Sequence, residues 1–238
     1  MSHPLGRAVM KPAIVVASAL LATGVAFASP AGATIDYPRL LVSQHVSSGG
    51  SVPEATAIGD LTGDGRKDLA VANGSGGSVG TDDLVFVFPQ LIDGTLSDAP
   101  FSVTPSTPSD GYELAVGRLN GDGHPDLAVG VPGVGIDLFF GTGSGLPSTP
   151  DATVSTAFTH FAVGDMNDDG LDDLVYTKTG APYSVVLRPQ LLLGGFGPEN
   201  VVASHLQTQG LSLGDIDGDG RTDFAADGPA NDAAAVFL

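Results

Sequence analysis

Cysteine and tryptophan are absent from this chain of 238 residues, and lysine and arginine together number only nine. Because there is no cysteine, no disulfide can stabilise the fold, and stability must come from packing or from bound metal. The basic residues stand against 27 acidic ones, so the net charge is −18. Nucleic-acid binding and attachment to anionic membranes both depend on Lys and Arg, so the composition disfavours both partners.

Sustained helical periodicity is also absent. Apolar residues occur in short runs separated by turn residues, and the chain contains 34 glycines and 17 prolines. This pattern is typical of short strands joined by tight turns, and we therefore predict an all-β fold.

Four copies of one nine-residue segment hold much of the acidity. Aspartate accounts for 24 of the 27 acidic residues, and compact metal loops favour this shorter carboxylate. The segments are residues 60–68 (DLTGDGRKD), 118–126 (RLNGDGHPD), 165–173 (DMNDDGLDD) and 215–223 (DIDGDGRTD). Each follows a glycine and lies between apolar stretches, so we predict that the segments are loops of a structural repeat.

Oxygen-bearing side chains occupy positions one, three, five and nine of the first, third and fourth loops. Such alternation lets a curled backbone direct every second side chain toward one point, and Ca²⁺ takes about six to eight oxygen ligands, including a carbonyl from position seven. Position six is always glycine, as a sharp turn with positive φ requires. An Asp-Gly turn is the alternative, but four copies with one spacing favour metal. The predicted ligands are Asp60, Thr62, Asp64, Arg66 and Asp68; Asp165, Asn167, Asp169, Leu171 and Asp173; and Asp215, Asp217, Asp219, Arg221 and Asp223.

The second loop is predicted to be degenerate. Its ligand positions hold Arg118, Asn120, Asp122, His124 and Asp126, so a guanidinium replaces the first carboxylate. A positive charge about 4 Å from the ion opposes binding by roughly 4 kcal/mol per charge at an effective dielectric of 20. We therefore expect three calcium ions per chain, with Arg118 bridging Asp122 and Asp126 in place of a fourth.

An EF-hand does not fit these loops, because it needs a bidentate Glu at position twelve. That position holds Val71, Val129, Tyr176 and Ala226, within apolar segments that are predicted to be buried strands. The loops with their flanks, as in AIGDLTGDGRKDLAVA and AVGRLNGDGHPDLAVG, resemble the FG-GAP/VCBS repeats of integrin-like β-propellers. The resemblance implies one blade per repeat, with a calcium loop between its first two strands.

The repeats predict a β-propeller with four blades of four strands. The loops begin 58, 47 and 50 residues apart, which suits four short strands and their turns. The segment Leu40–Val46 (LLVSQHV) is similar to the run VVASHLQ before the fourth loop. We expect it to supply the outer strand of the last blade and close the ring, which would remove exposed sheet edges. An incomplete propeller that dimerises is the alternative.

The first 33 residues are predicted to be a secretory signal peptide. Arg7 and Lys11 precede the short apolar stretch Ala13–Ala28, and cleavage fits after residue 28 or residue 33. A membrane anchor is the alternative, but the stretch is shorter than the ~20 apolar residues that a spanning helix needs. Residues 34–238 would then form one secreted domain, which is periplasmic if the host is Gram-negative.

We expect a non-catalytic binding or adhesion module for an extracellular glycan or protein, present as a monomer or homodimer. Loops at one end of a rigid scaffold often carry binding, but no ligand-binding residue can be named. The resembling propellers include lectins, although four tyrosines and no tryptophan offer few rings to stack on sugars. A secreted hydrolase is the second possibility, using either the acidic loops or Ser78, where residues 76–80 match the G-x-S-x-G motif. A structural envelope component is the third. No catalytic residue is predicted.

Overall fold

The computed structural model describes residues 44–74, 82–180, 182–205, 208, 210–228 and 233–238. Every regular element within these ranges is a β-strand, which confirms the all-β fold. None of the described residues forms a helix long and apolar enough to cross a bilayer. The predicted signal peptide and the Ser78 motif lie outside the described ranges.

Four antiparallel sheets follow one another along the chain as the blades of a four-bladed β-propeller. Blade 1 contains β1 (Pro53–Gly59), β2 (Asp68–Asn73), β3 (Val85–Phe88) and β4 (Phe101–Val103). Blade 2 contains β5 (Glu113–Gly117), β6 (Asp126–Val131), β7 (Gly135–Phe139) and β8 (Ala152–Ser155). Blade 3 contains β9 (Phe158–Gly164), β10 (Asp173–Lys178), β11 (Ser184–Arg188) and β12 (Asn200–Ser204). Blade 4 contains β13 (Gly210–Gly214), β14 (Asp223–Gly228) and β15 (Ala233–Phe237) among the described residues.

Each acidic loop joins the first two strands of its blade, as the resemblance to FG-GAP/VCBS repeats implies. The glycine before the loop pairs with the aspartate at position nine, as in Gly59 with Asp68 and Gly164 with Asp173. The second strand of each blade is central, and in β6 every residue is buried. Its uninterrupted apolar sequence follows from this burial on both faces.

The core consists of three apolar clusters, each formed between two consecutive blades. The glycine before each loop gives the next blade room to approach. A Cβ atom at Gly59 would lie 2.4 Å from Val116 Cγ1, and one at Gly117 would lie 2.3 Å from Val163 Cγ1. These positions therefore need glycine for close packing between blades rather than for backbone conformation.

The predicted closure by Leu40–Val46 is not confirmed by the residues that the structure describes. Residues 44–46 form no strand, and the side chain of Gln44 exchanges two hydrogen bonds with the backbone of Leu96 in blade 1, at 2.9 and 2.7 Å. Residues 40–43 lie outside the described ranges. The side-chain amide of Gln44 finds its partners in the first blade and not in the fourth.

Candidate functional site

The four acidic loops share one backbone course. Position six has positive φ in every copy, from 85° to 90°, which confirms the predicted turn. Position four also has positive φ, at Gly63, Gly121, Asp168 and Gly218, a second turn that the sequence analysis did not identify. Aspartate tolerates this conformation better than most residues, which is consistent with Asp168 in the third loop.

The aspartate at position one organises the loop by accepting hydrogen bonds from backbone N–H groups at positions four to six. Asp60 Oδ1 and Oδ2 accept from Asp64 N at 3.0 Å and Gly65 N at 2.9 Å. Asp165 accepts from the equivalent amides at 3.2 and 2.8 Å. In the fourth loop Asp215 accepts from Gly218 N and Gly220 N. The loop backbone therefore curls around the first carboxylate.

The aspartate at position nine is buried in all four loops and ties the loop to its sheet. Asp68 Oδ2 accepts the N–H groups of Leu61 and Thr62, each at 2.9 Å, while Oδ1 accepts that of Gln90 at 2.9 Å. Asp173 repeats the pattern with Met166 and Gln190. The same carboxylate thus holds the start of its own loop and the segment after the third strand.

Burial, with a smaller contribution from neighbouring acidic groups, raises the pKa of two of these carboxylates and disfavours their ionisation. Burial raises the pKa of Asp126 to about 6, against hydrogen bonds from Leu119 and Gly141 that lower it, while the charge of Asp122 raises it further. Burial also raises the pKa of Asp173, and the charges of Asp169 and Asp165 add to the effect. A cation bound in the loop would favour the ionised form of each.

The fourth loop comes nearest to a metal site. Carboxylate oxygens of Asp215, Asp217 and Asp223 lie within 4.8 Å of one another, the one such cluster among the described residues. Asp219 at position five instead accepts the Arg221 N–H at 2.8 Å. The donor set is entirely oxygen, which suits a hard cation such as Ca²⁺.

The acidic residues of the first and third loops, as the structure describes them, do not form such a cluster. In the first, Asp64 forms an ion pair with the guanidinium of Arg66, whose Nε donates to Gln90 O at 2.7 Å. Thr62 Oγ1 donates to Asp68 Oδ2 at 3.0 Å. In the third, Asn167 Oδ1 accepts Asp169 N at 3.0 Å, and Asp169 Oδ1 accepts Leu171 N at 2.9 Å.

The prediction that Arg118 bridges Asp122 and Asp126 is wrong. Its backbone N–H donates to Asp172 Oδ2 at 2.7 Å, and its Nε lies 3.9 Å from the same oxygen. Asp172 is position eight of the third loop, so the guanidinium points to the neighbouring blade. Within the second loop, Asp122 accepts from Asn120 Nδ2 and from the His124 N–H, and no equivalent of the first carboxylate curls the backbone.

A second candidate site lies where the first strands of all four blades meet, near their ends away from the acidic loops. This axial pocket has a volume of about 450 Å³. It is lined by Glu54, Ala55, Thr56, Tyr112, Glu113, Leu114, His160, Phe161, Gly210 and Leu211.

Polar groups from different blades meet in the axial pocket. His160 Nδ1 lies 2.6 Å from Glu113 Oε1, while Glu113 Oε2 accepts the Phe161 N–H at 2.9 Å. Glu54 Oε2 accepts the Tyr112 N–H at 3.1 Å. Burial, with the nearby charges of Asp83, Glu54 and Asp137, raises the pKa of Tyr112 to about 12, so its hydroxyl stays neutral. The pocket therefore combines carboxylates, an imidazole and apolar walls.

Sequence reasoning did not identify the axial pocket. Glu113 and His160 are 47 residues apart in different repeats, so no short motif contains both. A signal was nevertheless present, because each residue lies four positions before the glycine of its own loop, Gly117 or Gly164. Equivalent positions of the inner strands face one axis in a propeller, so polar residues there indicate an axial site.

The chain matches one family model and two individual proteins of known name. The family model described as FG-GAP-like repeat matches residues 60–129 and 119–176. The phosphatidylinositol-glycan-specific phospholipases D of Mus musculus and Rattus norvegicus are each 38% identical over 88 residues, covering 30% of this chain. The chain spans about 10% of the length of these relatives.

Proposed function

Because this chain belongs to the FG-GAP repeat family and folds as a β-propeller, we propose that it is a secreted, calcium-stabilised, non-catalytic binding module for an extracellular glycan or protein. The observation that carries the binding role is the axial pocket, where side chains of several repeats converge. Pockets with apolar walls and a few placed polar groups are the usual form of ligand sites.

Calcium is proposed for the first, third and fourth loops, and Asp215, Asp217 and Asp223 support it best. Their oxygens lie within 4.8 Å of one another, an arrangement of like charges that a divalent ion would stabilise. The first and third loops have the same two turns and share the acidic residues at positions one, five and nine. A bound ion would supply positive charge at the loop centre, while position one orders the backbone and position nine ties the loop to its sheet.

The axial pocket would recognise hydrogen-bond donors of the ligand. Glu54 and Glu113 are two of only three glutamates in the chain, and His160 adds a group that can donate or accept. Phe161 and Leu114 supply apolar surface beside them. Hydroxyl groups of a glycan or the polar side chains of a protein loop suit such a lining.

Secretion is proposed from the basic and apolar N-terminal sequence. The activity named for the phospholipase relatives is not transferred, because the match covers about 10% of their length. No catalytic step is assigned to Glu113 and His160, which we propose to be ligand-binding groups.

An array of extracellular glycans and proteins tests this function. Wild-type protein in calcium should bind a defined subset of the array ligands. His160→Ala should lose that binding, because the imidazole that contacts the ligand is removed from the pocket. His45→Ala is the matched control, because His45 lies beside Ser97 and Asp98 at the edge of blade 1. Retention of binding by His160→Ala, or loss of binding by His45→Ala, would contradict the axial site. Absence of any wild-type binding across the array would contradict the proposed function.

A further inference from the structure

The three junctions between consecutive blades follow one packing rule. The residue just before the loop glycine inserts toward the loop glycine of the preceding blade. A Cβ atom built at Gly59, Gly117 or Gly164 would lie 2.4, 2.3 or 3.1 Å from Val116, Val163 or Leu213, respectively. We call the apolar residue the knob and the glycine the socket.

The knob of blade 1 and the socket of blade 4 have no counterpart among the described residues. Ile58 is the knob residue of blade 1, and its side chain is 69% exposed. Gly214 is the socket of blade 4, and a Cβ atom there would meet nothing within 4 Å. One chain therefore carries both halves of a fourth junction in a form that is open to solvent.

Two further positions on blade 4 show the same exposure. Ile216 is equivalent to Leu61 and Leu119 at position two of the loops, which are fully buried, yet Ile216 is 52% exposed. Val236 pairs with Ala225 as Val87 pairs with Ala70 in blade 1. Val87 is fully buried against the next blade, whereas Val236 is 51% exposed. Gly214, Ile216 and Val236 together form the open socket face.

Charge is complementary across the open junction. Between blades 2 and 3, position one of one loop pairs with position eight of the next, Arg118 with Asp172. At the open junction these positions hold Asp215 in the fourth loop and Lys67 in the first, so the two positions carry opposite charges. An acidic chain with only nine basic residues thus places a lysine where an aspartate would meet it.

We propose that the open socket face of one copy receives Ile58 of a second copy of this chain. In a dimer in which the knob of each copy enters the socket face of the other, this junction would form twice. A second copy is the occupant that fits, since knob, socket and charge pair are all supplied by the same chain and repeat the junctions already formed within it. A two-fold dimer has an isologous interface, in which the same contact forms twice and neither copy keeps an open junction.

Sedimentation and light scattering over a range of concentrations test the oligomeric state. Wild-type protein should be a dimer, and Ile58→Asp should weaken dimerisation roughly tenfold to a hundredfold per junction, as expected for losing one buried aliphatic side chain. Ile92→Asp is the matched control, since Ile92 is 94% exposed in the turn between β3 and β4 and is not a knob residue. Wild-type monomers at every concentration, or equal weakening by the control, would overturn the proposal.

Cysteine pairs give a test that does not depend on how Ile58→Asp folds, because the chain has no cysteine of its own. Ile58→Cys and Gly214→Cys should form a disulfide-linked dimer under mild oxidation when mixed, and neither should do so alone. Gly214 has the space for this side chain and lacks a positive φ. An intrachain disulfide in the doubly substituted chain, or no product in the mixture, would refute docking of a second copy.

Discussion

Substitution of Asp68 tests whether the buried carboxylate at position nine fixes the acidic loop to its sheet. Its side chain is fully buried, and it accepts backbone N–H groups from Leu61, Thr62 and Gln90 as well as the Thr62 hydroxyl. Asp68→Ala would leave the buried Leu61 N–H and the partly buried Gln90 N–H without acceptors, at about 1–3 kcal/mol each. We expect a loss of roughly 3 kcal/mol in the free energy of unfolding, equivalent to a decrease of about 6–12 °C in Tm.

Urea unfolding in the presence of a chelator measures this loss without any contribution from metal. Asp93→Ala is the control in the same blade, because Asp93 is an exposed turn residue that accepts from Thr95 N and Thr95 Oγ1. It should change stability far less than Asp68→Ala. If Asp68→Ala costs less than about 1 kcal/mol in chelator, the buried carboxylate does not hold the loop as its hydrogen bonds indicate.

Two other substitutions separate packing between blades from metal binding. Gly59→Ala would place a Cβ atom 2.4 Å from Val116 Cγ1 and should destabilise the protein by about 1–3 kcal/mol. Gly214→Ala should leave the stability of the monomer unchanged, because a Cβ atom there meets nothing within 4 Å in a single chain. Urea unfolding in an Ile58→Asp background, where the proposed dimer is weakened, measures both, and equal effects would refute the socket rule. Arg118→Asp supplies the missing first carboxylate of the second loop and should add one bound calcium per chain. Isothermal titration measures the number of calcium ions bound. The same number as in wild type would show that the positive charge of Arg118 is not the sole reason why the second loop binds no calcium.

The loops and the fold class could be predicted because both depend on local periodicity. Position six of each loop turns with positive φ and is therefore glycine in all four copies. This repeated glycine, at a fixed place among the aspartates, makes the four loops recognisable from the sequence alone. The apolar runs after the loops are central strands, and their burial on both faces gives them an uninterrupted apolar sequence.

Contacts between blades could not be predicted in the same way. The partner of Arg118 is Asp172, which lies 54 residues away at a loop position outside the ligand alternation. Glu113 and His160 are paired because two inner strands from different repeats face the same axis. The sequence of one repeat contains no information about this contact. Gln44 shows a related limit, since a strand-like composition did not determine which blade its segment would contact.

Calcium titration of metal-free protein tests the central claim most directly. Isothermal titration, with the metal content of the starting material checked by elemental analysis, should show three calcium ions bound per chain. Each site whose Kd lies a hundredfold below the free calcium concentration adds about 2.7 kcal/mol to stability, so Tm should rise with calcium and fall again with chelator. Binding of no calcium, with the same Tm in calcium and in chelator, would contradict a calcium-stabilised propeller.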